Sequence, residues 1–176
     1  MKYRELVQKR HEKSIIDQFL SWYNIKQGTE FEVVRRPDPP DAIAQDNSNI
    51  IWIEHTDIYR SAEEAKEERS FATPGETPYE RQERPIRSPD KRIALSFVRN
   101  LNKKLSKESY YRNFKALGPG LLVLTERDPL FSQSTWDCIL AEIDSYCFAN
   151  DKGYFQSVFL GYRSKGGLSF LEVEYH

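Results

Sequence analysis

The most informative segment of the chain is residues 40 to 56, which read PDAIAQDNSNIIWIEHT. Two apolar runs, at 41–45 and 50–58, flank the polar tetrapeptide DNSN at 46–49, and such a cluster favours a tight turn. The runs therefore predict two adjacent antiparallel strands joined by that turn. Because the second run is apolar on both faces, it predicts a central strand that is covered on both sides.

Apolar periodicity predicts helices and strands on both sides of this hairpin. Residues 2–24 predict a helix, because Ile16, Phe19 and Tyr23 lie on one stripe at helical spacing. The proline-rich segment 36–40 cannot join a sheet, since proline lacks the N–H donor. The other predicted elements are a strand at 31–35, a helix at 90–111, a strand at 121–125, a helix at 133–148 and strands at 155–162 and 168–175.

The order α-β-β-β-insert-α-β-α-β-β predicts an α/β fold of the mixed α+β kind, in which helices flank a central mixed sheet. A length of 176 residues fits one core, so we expect residues 1–176 to form a single domain. The insert, at about residues 60–90, is charged and contains Pro74, Pro78, Pro85 and Pro89. It predicts a long, partly mobile loop with a short helix at its start.

Charge and hydropathy exclude several classes of protein. The formal net charge of −1 argues against a generally basic coat for nucleic acid, although 26 Lys and Arg residues leave room for a basic patch. The longest apolar stretches, such as 121–124, are too short to cross a bilayer, and the charged segment 1–10 lacks a signal-peptide core. We therefore expect a cytoplasmic protein without a membrane partner.

Two carboxylates lie near the same end of the predicted hairpin. Asp41 opens the first strand and Glu54 lies near the end of the second. Directly opposed side chains on such strands are roughly 5 Å apart at Cβ, and two carboxylates that close repel each other unless a cation or a proton intervenes. Oxygen ligands of this kind suit Mg²⁺, so the pair predicts a divalent-cation site.

Pro40-Asp41, a turn and then Glu54 on the next strand resemble the motif of the PD-(D/E)XK, or restriction-endonuclease-like, nuclease superfamily. The resemblance covers roughly residues 5–125, where the predicted elements fit an αβββαβ core. The wider phrase, PPDA at 39–42 followed by WIEHTD at 52–57, is similar to a subgroup of small proteins with Pro-Pro-Asp and Glu-x-Thr.

The resemblance implies a function and a ligand set. Asp41, Glu54 and the main-chain carbonyl of His55 would hold Mg²⁺ or Mn²⁺, which would polarise a scissile phosphate and activate a water. It implies an endonuclease that hydrolyses phosphodiester bonds in nucleic acid, DNA more than RNA. Such nucleases often act as dimers, so a homodimer is also implied.

The chain departs from the family motif at the lysine. Thr56 stands where the motif has lysine, and in some members the lysine comes instead from the following helix. Lys104 is the best replacement, because it follows Phe97 and Leu101 on the predicted core-facing stripe, whereas Lys103 points away.

Glu12 is the fourth candidate, because the resemblance places an acidic residue on the first helix at the site. Each candidate also has a purely structural explanation. Asp41 could be a turn aspartate, and Glu54 could be a solvated glutamate at a strand end. Lys104 could be a surface lysine whose stem lies on apolar surface, and Glu12 could be a glutamate that the helix dipole stabilises.

Other residues carry weaker signals. Arg81, Arg84 and Arg87 recur every three residues in the insert and Arg92 follows, so the four could bind phosphates; neighbouring glutamates favour a solvated loop instead. The histidines show no ligand spacing, and His55 should face away from Glu54 and serve packing.

Two functions therefore remain open. The first is a metal-dependent nuclease. The second keeps the restriction-endonuclease-like fold without catalysis, as a nucleic-acid or protein interaction module, which Thr56 and the near-neutral charge favour. A small-molecule hydrolase that uses the same carboxylates is a third reading, without positive support.

Overall fold

The computed structural model describes most of the chain. The described residues are 3–59, 61–71, 77, 79, 88–127, 131–146, 148 and 154–174. Arg81, Arg84 and Arg87 lie outside these ranges, as does most of the predicted loop that follows the short helix of the insert.

The elements follow the predicted order. They are α1 (Tyr3–Gln27), β1 (Glu32–Arg35), β2 (Ala42–Asp46), β3 (Asn49–Ile58), α2 (Ala62–Phe71), α3 (Pro89–Leu105), α4 (Glu108–Tyr111), a 3-10 turn (Arg112–Phe114), β4 (Gly120–Glu126), α5 (Gln133–Ser145), β5 (Phe155–Ser164) and β6 (Gly167–Val173). The polar turn between β2 and β3 and the proline break before β2 are both as predicted.

Six strands form one mixed sheet in the order β1-β2-β3-β4-β5-β6. The first three are mutually antiparallel, β4 pairs parallel with β3 and with β5, and β6 returns antiparallel. Parallel neighbours need crossovers, which α3 and α5 provide. The prediction of a mixed sheet flanked by helices is confirmed.

Helices cover both faces of the sheet. On one face, α3 and α5 bury Phe97, Leu101 and Ile139 against Trp52 of β3. On the other face, α1 buries an apolar cluster that includes Ile53. Successive residues of β3 therefore enter different cores, which confirms the prediction of a doubly covered central strand.

The prediction of one continuous helix at 90–111 is wrong near its C-terminal end. Helix α3 ends at Leu105, and the chain reverses through Ser106 and Lys107 into α4. The N–H groups of Ser106 and Lys107 bond the carbonyls of Asn102 and Lys104, which closes the last turn tightly. The break returns Tyr111 to the sheet, where its side chain is fully buried.

No helix within the described ranges combines the length and the apolar character that a membrane span requires.

Candidate active site

The register of the hairpin brings Asp41 and Glu54 together. Ala42 pairs with Ile53, so the next position of the ladder places Asp41 opposite Glu54. One carboxylate oxygen of Asp41, Oδ2, accepts a hydrogen bond from the backbone N–H of His55 at 2.7 Å. Directly opposed residues share a face of the sheet. Both carboxylates also line one cleft.

Glu54 lies on the face that α3 covers and is only 5% exposed. The ammonium group of Lys104 donates to its Oε1 at 2.6 Å, and the hydroxyl of Tyr111 donates to the same oxygen at 2.9 Å. The other oxygen, Oε2, is buried and has no hydrogen-bond partner among the described residues. A buried carboxylate oxygen without a partner is costly, so Glu54 has unused capacity for a cation.

Lys104 reaches the site from α3, as its helical spacing predicts, and Thr56 lines the same cleft at the lysine position of the motif. The ammonium group of Lys104 is partly buried. Its side chain is 14% exposed and its charge meets Glu54, so the contact favours a site residue over a surface lysine with its stem on apolar surface.

Tyr111 is a site residue that the sequence interpretation missed. Its ring stacks on Trp52 with centroids 5.6 Å apart, and its hydroxyl reaches Glu54. In an unbroken helix, Tyr111 would lie about 10 Å beyond Lys104 along the axis. The helix break after Leu105 is what places Tyr111 at the site, and the apolar periodicity of the sequence does not reveal that break.

The environment of Asp41 favours its protonated form. Burial and the negative charge of Glu54 raise its pKa to about 7, and Glu12 adds to the effect. The bond from the His55 N–H and the charge of Lys104 act in the opposite direction. A divalent cation at the pair would remove the repulsion, so the site fits oxygen-ligated metal.

Glu12 lies on α1 at the edge of the cleft. It is half-buried, and the side-chain amide of Gln8 donates to its Oε1 at 2.9 Å. Since its charge acts on Asp41, the structure brings it to the same site.

The cleft has a volume of about 1040 Å³ and lies at the carboxyl ends of β3 and β4, between α1 and α3. Strand ends of this kind are the usual ligand sites of open α/β sheets. Arg92, Arg99 and Lys103 line its α3 wall and are exposed. Within the described part of the chain, their side chains have no ion-pair partner. The wall is locally basic although the chain is nearly neutral.

A second cluster lies on the α1 side of β3 and lines the same cleft. His11 and Asp57 are 46 positions apart, yet the Nε2 atom of His11 lies 3.2 Å from Oδ1 of Asp57. The Nε2 atom of His55 lies 3.6 Å from the same oxygen. Arg127, at the end of β4, brings its Nη1 to 2.6 Å from Nε2 of His11. His55 faces away from Glu54 as predicted, and there it meets His11 and Asp57, a grouping that the sequence spacing of the histidines does not indicate.

The surroundings shift the pKa values of two members of this cluster, His55 and Asp57. Burial lowers the pKa of His55 to about 4, so its imidazole is neutral near pH 7. Burial alone would raise the pKa of Asp57, but its hydrogen bond with His11 and its electrostatic interactions with His55, His11 and Arg127 together lower it. A neutral imidazole beside a carboxylate is a suitable donor pair for a metal ion.

No protein-family model, no curated protein and no solved structure matches this chain at a significant level. The sheet topology and the chemistry of the cleft therefore carry the functional proposal.

Proposed function

We propose that this protein is a divalent-metal-dependent nuclease that hydrolyses phosphodiester bonds in nucleic acid, with DNA as the first substrate to test. The observation that carries the proposal is the convergence of Asp41, Glu54 and Lys104 at one end of the β2–β3 hairpin. We also infer that α1, β1–β3, α3 and β4 correspond to the αβββαβ core of the restriction-endonuclease-like fold.

Asp41 and Glu54 would hold Mg²⁺ or Mn²⁺. The His55 N–H bonds Asp41, and because the N–H and C=O groups of one strand residue point towards the same neighbour, the His55 carbonyl faces the same side. It would therefore be the third ligand. When bound, the metal supplies Lewis-acid activation of a phosphate and a water.

The chain's own groups supply the remaining chemistry. Lys104 provides the positive charge that the motif places at position 56, and its partial burial strengthens its interaction with developing negative charge. Tyr111 fixes the orientation of Glu54 through its hydroxyl. Glu12 adds a further acidic group at the cleft edge, suited to hold a water near the metal.

The basic wall of α3 supports a polyanionic substrate. Arg92, Arg99 and Lys103 could follow a phosphate backbone along the cleft, since contacts to phosphates supply most of the sequence-independent affinity for nucleic acid. Arg81, Arg84 and Arg87 remain predicted contacts. A cytoplasmic location and a homodimer are parts of the same proposal, and sedimentation of the free and DNA-bound protein tests the dimer.

The test is cleavage of plasmid and oligonucleotide DNA by purified protein with Mg²⁺ or Mn²⁺. We expect cleavage that a chelator abolishes and that Glu54→Ala removes. Glu32→Ala is a matched control, because Glu32 is an exposed strand glutamate outside the cleft. Full activity in Glu54→Ala would end the proposal.

One observation favours a second function, an inactive fold that only binds nucleic acid or protein. Lys104 and Tyr111 already satisfy Oε1 of Glu54, and Thr56 supplies no charge. Metal titration separates the two functions, because a ligand of the native state raises its thermal stability. An active site predicts a rise in Tm with Mg²⁺ that Asp41→Asn abolishes; the inactive module predicts no rise in Tm with Mg²⁺.

A further inference from the structure

We propose that His11, His55 and Asp57 form a second metal site, which binds a divalent transition-metal ion on the α1 side of β3. The ligand atoms are one ring nitrogen of each histidine and one oxygen of Asp57, and all three lie within 4.8 Å of one another. The three residues line the cleft, so the site is open to it. None of them contributes a side chain to the Asp41–Glu54 pair, so the inference does not rest on the proposed nuclease activity.

The distances fit a metal. Ligands at the usual bond lengths of tetrahedral zinc are about 3.3 Å from one another. The oxygen of Asp57 lies 3.2 Å from Nε2 of His11 and 3.6 Å from Nε2 of His55. Two of the three ligand-to-ligand distances are therefore already close to those that one central ion requires.

Two neighbours of His11 make incompatible demands on one of its ring nitrogens. Its Nε2 atom lies close to an acceptor, Oδ1 of Asp57, and also close to a donor, Nη1 of Arg127. One imidazole nitrogen either donates or accepts, so it satisfies only one of these neighbours. A metal ion resolves the conflict, because Nε2 and Oδ1 both direct lone pairs at it.

The donor set selects the class of ion. Two imidazoles and one carboxylate favour Zn²⁺, Mn²⁺, Fe²⁺ or Co²⁺ over Mg²⁺, which prefers oxygen alone. Three protein ligands leave at least one coordination position open, and here it faces the cleft. Thr125 lies beside the site on β4, and its Oγ1, 3.0 Å from Nε2 of His55, must give up this hydrogen bond when that nitrogen binds the ion.

Arg127 competes with the ion. Its guanidinium group remains charged at all accessible pH values and lies 2.6 Å from Nε2 of His11 and 3.9 Å from Oδ1 of Asp57. A bound cation must displace it from the centre. Removal of the guanidinium should therefore tighten metal binding, whereas it would only weaken a cluster whose purpose is to link α1 to β3 and β4.

The experiment is titration of chelator-treated, full-length protein with Co²⁺, followed by its visible absorption and by calorimetry. We expect one ion per chain at this site, with a spectrum that indicates nitrogen ligation. His11→Gln and Asp57→Asn should each weaken binding by about tenfold or more, since each removes a ligand. Arg127→Ala should bind several-fold more tightly than the wild type.

The variant Asp41→Asn/Glu54→Gln separates this site from the proposed nuclease site. It should retain the Co²⁺ spectrum, and loss of the spectrum there would assign the ion to the carboxylate pair and overturn the inference. The absence of a Co²⁺ signal in both the wild type and Arg127→Ala would overturn it as well. Circular dichroism verifies that each variant is folded, and no readout depends on DNA cleavage.

Discussion

At the carboxyl end of β3, the two faces of the strand carry different functional groups, although these groups belong to the same short stretch of chain. Glu54, on the α3 face, meets a lysine and a tyrosine and lies opposite Asp41. His55 and Asp57, on the α1 face, meet a histidine and an arginine. Because successive strand residues point to opposite faces, one strand end presents an oxygen-rich set and an imidazole-containing set to one cleft.

The difference teaches that, if both proposed sites bind metal, the identity of the metal would distinguish the two faces. Oxygen ligands favour Mg²⁺, and imidazoles favour transition metals. Mn²⁺ suits both sets, so experiments with Mn²⁺ alone would not separate them. Mg²⁺ and Co²⁺ used side by side would.

The largest effect should come from Lys104 on the α3 face. Lys104→Met removes the charge and keeps most of the stem, and we expect DNA cleavage to fall by roughly 100-fold or more, as when one preorganised charge-stabilising group is lost. The measurement is the single-turnover cleavage rate with saturating Mg²⁺.

A second substitution makes this test sharper. Thr56→Lys places a lysine at the motif position on the same face of β3, and the double variant Thr56→Lys/Lys104→Met should recover part of the rate. Lys91→Met is the matched control, because Lys91 is an exposed lysine of α3 that lies outside the cleft. An unchanged rate in Lys104→Met would remove Lys104 from the proposed catalytic group.

The next effect is the pH dependence of stability that Asp41 creates. Folding raises its pKa from 3.8 to about 7, so the folded state holds a proton that the unfolded state releases between these values. The stability that Asp41 contributes is fully present below about pH 4 and is lost as pH rises through about 7. Asp41→Asn should abolish this loss, which is on the order of a few kcal/mol.

Urea denaturation at several pH values measures this pH-dependent loss of stability. The difference in unfolding free energy between Asp41→Asn and the wild type should grow from pH 4 to 7 and then level off. Asp38→Asn is the control, since its ion pair with Lys9 spans 3.7 Å between exposed groups and should contribute little. A difference that does not change with pH would contradict the raised pKa that burial and repulsion from Glu54 give Asp41.

The sequence predicted the α3 face better than the α1 face, and the reason is the range of the contacts. Asp41 and Glu54 belong to one hairpin whose turn fixes the register, and Lys104 follows from helical spacing. The same local patterns located every strand to within a few residues.

The α1 face depends on contacts that no local pattern contains. His11 comes to β3 only because α1 packs across it. Arg127 comes there only because β4 pairs parallel with β3, with Asp57 beside Thr125. Arg127 and His11 are 116 positions apart. Tyr111 is an intermediate case, since its position depends on a helix break that the apolar periodicity does not reveal.

A smaller effect should come from Tyr111, which links α4 to the α3 face. Tyr111→Phe retains the ring that stacks on Trp52 and removes one hydrogen bond to a buried carboxylate. We expect a loss of about 1.5 to 2 kcal/mol in unfolding free energy, since bonds to charged groups contribute more than neutral ones. Chemical denaturation measures the loss.

The neighbouring residue provides the control for that variant. Tyr110 is exposed, and its hydroxyl has no hydrogen-bond partner among the residues that the structure describes. Tyr110→Phe should therefore change stability by only a few tenths of a kcal/mol. Equal effects of the two substitutions would mean that the hydroxyl of Tyr111 does not stabilise Glu54.

The smallest effect tests along which wall of the cleft the phosphate backbone of the substrate lies. If phosphates lie along α3, Lys103→Ala should weaken DNA binding several-fold and reduce the slope of log affinity against log salt by about one, because one counterion-releasing contact is lost. Lys13→Ala is the control on α1, where Lys13 is already paired with Asp17 at 2.6 Å and lies outside the cleft. Fluorescence anisotropy at several salt concentrations, with Ca²⁺ in place of Mg²⁺, measures both slopes. An unchanged slope for Lys103→Ala together with a reduced slope for Lys13→Ala would move the substrate from the α3 wall to the outer surface of α1.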